Sequence, residues 1–429
     1  MEPTRFDRFT RSVAGHSLTR RGALLGGSAL TASAIALHGW SSARAQDATP
    51  AATPVSQTDA IIAICQQAMA EQELRSVIVR VTIDGQELIT EAFGESMTGV
   101  PATKDMHFRN GAVAISYIAM LLLQLVDEGK VTLDDTLDAW YPDFPTADKV
   151  TLRSLITMTS GYPDFVPDAE FQAAFFADPF REFTTQEQLD FAFQSPPHFP
   201  PGENWSYAHT NIVILGMVLE KVTGKQLAEQ MQDNLLTPLG LDNTFTLATP
   251  EIPEPALHAF SGERRAALGI PSGTRFYEES SFWNPSWTLA HGSIQVTNIY
   301  DMTATAEAIG AGTTLSPASH EEMIAPKLLG FGAPLEGCPT CHTLDEAYSY
   351  GLGVVISGEW ILQNPLFGGY GAIEAVLPSD KIAIAVSTTF SEKGFGDDGA
   401  YLHSRASWTI FAQIAALLAP DKAPAVGRT

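Results

Sequence analysis

The sequence predicts an α/β (α+β) fold in which an antiparallel sheet is flanked by helices and carries an inserted, all-helical lobe. Two groups of strand-like segments, one near each end of the chain, and a long run of helix-like segments between them favour this fold. Large α/β enzyme folds with an inserted lobe still form one domain at a length of 429 residues. We therefore expect one domain over residues 58–429.

The first 45 residues have the pattern of a twin-arginine export signal. Arg20 and Arg21 precede an Ala-, Leu- and Gly-rich run, and small residues around Ala45 suit cleavage there. The run is short and rich in small residues for a membrane span. We expect an extracytoplasmic protein, secreted or in the cell envelope, with an uncleaved anchor as the alternative. Residues 46–57, rich in Ala, Thr and Pro, predict a flexible linker.

The chain is acidic, with 25 basic and 49 acidic side chains and a formal net charge of −24. Removing residues 1–45 takes away six arginines and two acidic residues, which leaves a net charge near −28. Such a charge repels nucleic-acid phosphates and anionic lipid. We therefore expect neither nucleic-acid binding nor a basic membrane-binding patch.

The first strands of the sheet are predicted on either side of a tight turn. Residues 76–83 are mostly β-branched, Asp84-Gly85 is typical of a hairpin turn, and residues 87–94 return. A long helix follows between Phe108 and Lys130. Its apolar residues recur at spacings of three and four, Gly111 suits a turn before the helix, and Gly129 suits its end.

The stretch from Phe108 resembles the first motif of the serine β-lactamase and penicillin-binding-protein family, in its class C and esterase-like branch. In that family Phe-Arg-x-Gly leads into Ser-x-x-Lys, and the resemblance implies a β-lactamase/transpeptidase-like fold. Ala112 stands at the position of the nucleophilic serine and Ile115 at that of the lysine. Acyl transfer of this kind needs an attacking oxygen and a neighbouring base, and these two side chains supply neither.

Two other serines are considered as replacements for the nucleophile. Ser116 lies one turn beyond Ala112 on the same helix face, where a small residue most often serves packing. Ser160 precedes Gly161 in a Thr-Ser-Gly turn that resembles a structural turn of the family, and serine at such a turn usually binds backbone. We expect a structural role for both.

Residues 199–211 resemble the second motif of the family, Tyr-x-Asn. Tyr207 is kept, and in the family such a tyrosine lies beside the nucleophile and helps to move its proton. His209 replaces the asparagine, and a helix is predicted from Ile212 to Val222. An imidazole can bind a ligand and titrates near neutral pH, although a lone histidine is more often packed or exposed to solvent.

Residues 250–290 predict a long crossing loop, since they are rich in Pro, Ser, Gly and aromatic residues. Its aromatic residues either wall a hydrophobic cleft or attach the loop to its scaffold; they are Phe276, Tyr277, Phe282, Trp283 and Trp287. The remaining strands are predicted at 350–356, 360–362, 373–377 and 382–388, covered by a helix over 402–418.

The third motif of the family, His-x-Gly or Lys-Thr-Gly, has two possible registers. Alignment of Gly369-Tyr370-Gly371 with the family's Gly-Phe-Ser puts the motif on Gln363-Asn364-Pro365. A looser register puts it on Gly369-Tyr370-Gly371 itself. Neither supplies the family's cation, and Pro365 lacks the backbone donor of a strand residue.

The three cysteines predict one disulfide and one free thiol. Cys338 and Cys341 form a C-x-x-C, which outside the cytoplasm favours a small disulfide loop over a redox site. His342 follows, but no spacing supplies further ligands, so we expect no metal. Cys65, on the apolar face of a helix beginning near Asp59, is expected to be a buried thiol.

The resemblance covers residues 57–418. The residues that depart from the family are the catalytic ones, while the turns and helix ends of the scaffold are kept. Two functions follow as hypotheses. The first is an exported, catalytically inactive relative that uses the former active-site cleft, formed by Ala112, Ile115, Tyr207, His209 and Gln363, to bind a small molecule, peptide, cell-wall fragment or partner protein. The second is a hydrolase, such as an esterase, D-peptidase or β-lactamase-like enzyme, that works through unrecognised residues such as His209. Neither needs a cofactor. The oligomeric state is left open.

Overall fold

The computed structural model describes residues 56–246 and 249–425. The helices are α1 (Gln57–Glu71), α2 (Ala114–Asp127), α3 (Leu152–Ile156), α4 (Ala169–Ala177), α5 (Thr185–Ala192), α6 (His209–Thr223), α7 (Leu227–Met231), α8 (Thr237–Leu239), α9 (Ile299–Ala311), α10 (Pro317–Ile324) and α11 (Ala406–Leu418). The strands are β1 (Leu74–Ile83), β2 (Gln86–Met97), β3 (Val100–Pro101), β4 (Phe108–Arg109), β5 (Phe260–Ser261), β6 (Glu278–Glu279), β7 (Val296–Thr297), β8 (Ser349–Tyr350), β9 (Val355–Ser357), β10 (Trp360–Gln363), β11 (Leu366–Phe367), β12 (Tyr370–Leu377) and β13 (Ile382–Phe390).

One antiparallel sheet of nine strands brings the two ends of the chain together. Its order is β3-β2-β1-β13-β12-β10-β9-β8, with β11 paired to β12. The central strand β13 is buried at all nine positions, as a strand covered on both faces must be. Asp84 and Gly85, with φ of 51° and 71°, form the turn between β1 and β2. The predicted sheet and its opening hairpin are confirmed.

Helices cover both faces of this sheet. Trp360 of β10 packs edge-to-face on Phe411 of α11, with ring centroids 5.1 Å apart. On the other face, an added Cβ on Gly310 of α9 would lie 2.6 Å from Val376 of β12. Successive side chains of a strand point to opposite faces, so α11 and α9 enclose the sheet between them.

Helix α2 is the core of the molecule. Eleven of its fourteen residues are buried, which is the pattern of a helix enclosed on all sides. It contacts the sheet side through Tyr117, whose hydroxyl bonds Thr305 of α9 at 2.5 Å, and the helical lobe through α6. Gly129, with φ of 68°, follows its C-terminus as predicted.

Several boundaries differ from the sequence prediction; for example, β12 begins at Tyr370 rather than at residue 373, and α11 begins at Ala406 rather than at residue 402. The strand predicted over 350–356 is two strands, because Gly353 approaches α2 so closely that an added Cβ would lie 2.7 Å from Ala119. Helix α6 begins at His209 rather than at Ile212. Helix α1 begins at Gln57, the last residue of the predicted linker, and Ser56 caps it by accepting a bond from the Asp59 amide.

The predicted export signal, residues 1–45, lies outside the described residues. Within them, no helix has the length and apolarity needed to cross a membrane. Residues 250–290 are mainly irregular, as predicted, with only β5, β6 and two short 3₁₀ turns.

Candidate functional site

The candidate site is built around the turn that leads into α2. Gly111 to Val113 form a 3₁₀ turn that carries Ala112, and Gly111 has a φ of 45°. A Cβ added to Gly111 would lie 2.6 Å from Pro365 Cβ and 2.9 Å from a ring carbon of Phe367. The positive φ and this close approach both demand glycine. Residues 365–367 therefore lie directly against the turn.

The side chains at the two first-motif positions are entirely apolar. Ala112 is half-buried and presents a methyl group, while Ile115 is fully inaccessible and belongs to the hydrophobic core. No oxygen or amine is available from either residue. The helix start therefore has neither a nucleophile nor a base of its own.

Gln363 lies behind this helix start, at the end of β10. Its Nε2 donates to the Gly353 carbonyl at 2.7 Å, and the side chain is buried. The Gly353 backbone lies close to α2, because a Cβ added to Gly353 would lie 3.1 Å from the Ile115 carbonyl oxygen. Because Pro365 touches Gly111, the register that starts at Gln363 is the one that runs beside the turn.

His209 is held by a carboxylate that the sequence analysis missed. Its Nδ1 lies 3.1 Å from both oxygens of Asp164, and its backbone amide donates to the same carboxylate at 3.2 Å. Ala208, at the N-cap of α6, has no side chain that can cap the helix, so Asp164 takes over that role. The Asp164 side chain is only 5% exposed. This arrangement fixes the imidazole and leaves Nε2 as its available nitrogen.

Tyr207 lies edge-on to His209, with ring centroids 5.1 Å apart. Burial raises the pKa of Tyr207 well above its usual value, and the neighbouring Tyr350 and Asp164 raise it further. None of the groups that shift this pKa is a cation. A raised pKa favours the neutral phenol, which is a poor acceptor for the proton of a nucleophile.

Trp287 joins the helix start to the second motif through ring contacts. Its ring centroid lies 5.9 Å from that of Phe367 and 6.4 Å from that of His209. It also packs on Phe175 of α4, 5.0 Å away, and Trp283 contacts the same phenylalanine. The two tryptophans thus attach the long loop to the helical lobe, and Trp287 also forms an aromatic wall between Phe367 and His209.

The other serines near the site are committed to structural bonds. Ser160 donates to Asn211 Oδ1 at 2.6 Å and accepts from the Tyr162 amide at 3.1 Å. Ser116 shares its proton between the Val113 carbonyl, at 2.7 Å, and Glu374 Oε1, at 3.3 Å. Both serines are fully buried. Their positions agree with the structural roles expected from the sequence.

Two acidic residues near the site were missed by sequence reasoning. Asp164 lies 45 residues before His209, and no local spacing connects them. Glu374 is the only acidic residue in the otherwise apolar strand β12, which was a signal that could have been used. Burial raises the pKa of Glu374 well above its usual value, and the bond from Ser116 opposes this shift.

The C-x-x-C loop lies beside the segment that leads to Tyr207. Cys338 and Cys341 form a disulfide, the pairing that the sequence predicts. Thr340 within this loop bonds Ser206 at 2.6 Å between their hydroxyl oxygens. Cys65 is a buried free thiol, and burial raises its pKa to about 12. In the described part of the chain, no group of three or more His, Cys, Asp or Glu side chains is arranged to hold a metal ion.

Comparison with known proteins gives one family and several relatives. The family model described as Beta-lactamase matches residues 61–406. Esterase EstB of Burkholderia gladioli is 27% identical over 298 residues, which cover 64% of this chain and 76% of that protein. Penicillin-binding protein 4 of Amycolatopsis lactamdurans is 35% identical over 170 residues, 37% of this chain and 40% of that protein. D-aminopeptidase of Brucella anthropi is 28% identical over 167 residues, 38% of this chain and 31% of that protein.

Solved structures extend the likeness over most of the chain. The D-amino acid amidase from Ochrobactrum anthropi SV3, in complex with D-phenylalanine, has a TM-score of 0.70 and 21% identity, covering 84% of this chain and 99% of that one. The D-stereospecific amidohydrolase from Streptomyces sp. has a TM-score of 0.66 and 23% identity, covering 83% and 98%. These likenesses confirm the predicted fold and say nothing more specific about activity.

Proposed function

The chain belongs to the beta-lactamase family, and from that premise we propose that it is a catalytically inactive member that uses the cleft beside Ala112 to bind a ligand or partner. One observation carries the proposal. The helix start offers a methyl group at Ala112 and a buried, fully apolar side chain at Ile115. An acyl-enzyme needs a nucleophilic oxygen and a base at these positions.

Tyr207, Ser116 and Ser160 do not replace the missing nucleophile and base. Burial raises the pKa of Tyr207, which favours its neutral form, and no cation among the described residues lowers it. The hydroxyls of Ser116 and Ser160 are buried and bonded within the protein. Loss of the nucleophile alone typically costs a serine hydrolase on the order of 10⁶ in rate.

The cleft keeps features that suit binding. Ala112, Tyr207, His209 and Phe367 are each partly exposed, and the buried Trp287 packs against Phe367 and supports it. His209, oriented by Asp164, supplies a polar anchor at one end. An aromatic wall with one oriented polar group is a common recognition pattern for small ligands. The names of two relatives, a penicillin-binding protein and a D-aminopeptidase, support a peptide or a cell-wall fragment as the ligand.

Binding without turnover is the test of this proposal. We expect soluble peptidoglycan fragments, or short peptides ending in D-alanine, to bind the purified protein in calorimetry and to be recovered unchanged by mass spectrometry. His209→Gln should weaken binding at least about fivefold, because it removes the oriented imidazole. His320→Gln is the matched control, since His320 bonds the Ile309 carbonyl away from the cleft. Cleavage of these ligands by the wild type would contradict the proposal.

A hydrolase that uses His209 is the second candidate, and one observation favours it. An imidazole held by a buried carboxylate is the orienting pair that serves general-base catalysis in other hydrolases, where it acts on a serine. Here water would have to be the nucleophile. This candidate predicts turnover of an activated ester that both His209→Gln and Asp164→Asn abolish. If the protein is catalytically inactive, the wild type, His209→Gln and Asp164→Asn should all show no turnover above the uncatalysed rate.

Export through the twin-arginine pathway is part of the proposal. Arg20 and Arg21 before a weakly apolar run support it. Replacing both arginines with lysine should trap the precursor in the cytoplasm, as measured by cell fractionation. Normal export of this variant would contradict the predicted route.

A further inference from the structure

A second cavity lies between the start of α3 and the segment that follows α10. Its volume is about 240 Å³, and its lining includes Arg153, Lys327, Thr157 and Phe331. None of the cleft residues Ala112, Tyr207, His209 or Gln363 lines it. Pockets that hold drug-sized ligands measure roughly 300–1,000 Å³, so this cavity suits a smaller molecule.

Two cations stand at the mouth of this cavity and share one carboxylate. Arg153 donates from Nε to Asp134 at 3.2 Å and from Nη1 to Glu322. Lys327 Nζ donates to the other oxygen of Glu322. Within the described residues, Arg153 Nη2 makes no hydrogen bond, and the Lys327 side chain is 56% exposed. Both cations therefore keep N–H donors for a further anion, while Asp134 and Glu322 balance their two charges.

The interior of the cavity offers a mainly apolar surface. Leu328 and Phe331 form part of its wall and are half-buried. The hydroxyl of Thr157 donates to the Arg153 carbonyl at 2.7 Å and lies 3.0 Å from that of Thr159. The hydroxyls of Thr157 and Thr159 thus already have partners, so an apolar group that packs against them leaves neither unpaired.

We propose that this cavity binds a small carboxylate with an apolar body, such as an aromatic or branched-chain carboxylic acid. The carboxylate bonds Arg153 Nη2 and Lys327 Nζ at the mouth, next to Glu322. The apolar body packs inside against Leu328 and Phe331. A neutral amide of the same shape has no negative charge to offer the two cations and binds more weakly.

The test uses benzoate and benzamide as probes of equal shape and different charge. We expect benzoate to bind with a Kd on the order of 1 mM, measured by NMR titration of the full chain, and benzamide to bind at least about fivefold more weakly. Lys327→Gln should weaken benzoate binding about fivefold, and Lys327→Glu should weaken it further. Lys327 is exposed, so these variants are expected to fold, and a thermal melt checks that they do.

Two controls separate this cavity from other sites. Lys130→Gln removes an equally exposed lysine, 52% accessible and paired with Glu128, and should leave benzoate affinity unchanged. His209→Gln should also leave it unchanged, which separates this proposal from binding in the cleft. Absence of saturable benzoate binding in the millimolar range would overturn the proposal. The proposal would also be overturned if benzamide bound as tightly as benzoate. The same holds if His209→Gln, and not Lys327→Gln, weakened benzoate binding.

Discussion

Glu374 provides the sharpest test of the arrangement beneath α2. Its side chain is 1% exposed and lies on the central strand β12, opposite Gln363 of β10. Oε1 is 3.3 Å from the Ser116 hydroxyl, while Oε2 has no hydrogen-bond partner among the described residues. Burial raises the pKa of this carboxyl well above its usual value, although the bond from Ser116 lowers it somewhat. Glu374→Gln replaces the carboxyl with a neutral group of nearly the same shape.

The raised pKa fixes the sign of the effect. The unfolded chain releases the proton of Glu374 near its ordinary pKa, about 4.5, whereas the folded protein retains it to higher pH. The protonated Glu374 carboxyl therefore makes its full contribution to the free energy of unfolding below pH 4.5. This contribution is lost as the pH rises through the folded-state pKa. In that window the free energy of unfolding falls by about 1.4 kcal/mol per pH unit for one proton. Glu374→Gln removes this pH dependence. The free energy of unfolding of Glu374→Gln, relative to that of the wild type, should therefore rise by about 1.4 kcal/mol with each pH unit in this window.

Urea unfolding at a series of pH values from 4.5 upward measures this effect. We expect the difference in free energy of unfolding between Glu374→Gln and the wild type to grow with pH and then level off at the folded-state pKa. Glu203→Gln is the control, because it makes the same chemical change at an exposed carboxyl. If the curves of Glu374→Gln and the wild type run parallel, the buried carboxyl is not protonated in the folded state.

Three further predictions concern the cleft and its surroundings. Asp164→Asn keeps the shape but removes the charge that holds His209, and should cost about 1–3 kcal/mol of stability in urea unfolding; an unchanged midpoint would contradict the role of this carboxylate. Gly111→Ala places a Cβ against the segment at 365–367 at positive φ and should lower the free energy of unfolding, measured in urea, by about 2–4 kcal/mol; an unchanged midpoint would contradict this close approach. The exported protein should carry the Cys338–Cys341 disulfide, seen as a mass increase of two hydrogens on reduction, and free thiols at both positions would refute it.

The parts of the fold that sequence could predict are those set by local patterns. Asp84-Gly85 between β-branched runs predicts a hairpin because a two-residue turn with positive φ, which Asp and Gly can adopt, is the commonest connection of such strands. Gly129 after a periodic apolar run predicts the end of α2 for a similar reason. The start of α6 was misplaced because the group that caps it, Asp164, is distant in the sequence.

The candidate site shows the same division. Ala112 and Ile115 stand in a motif with fixed spacing, so the loss of nucleophile and lysine could be predicted from the sequence. Asp164 and Glu374 act through contacts across the fold, and no spacing connects either to its partner. The register at Gln363 was left open by the sequence, and the contact of Pro365 with Gly111 favours the register that starts there.

Covalent labelling measures directly whether the protein forms an acyl-enzyme. The wild type, Ala112→Ser, Ile115→Lys and the double variant are incubated with a fluorescent penicillin and a fluorophosphonate, and adducts are mapped by peptide mass spectrometry. A serine alone lacks a base, and a lysine alone lacks a nucleophile.

We expect weak labelling at residue 112 in the double variant, limited by the cost of burying a lysine without its polar partners, and none in the other three proteins. Labelling of the wild type, above all at Ser116 or Ser160, would contradict the account.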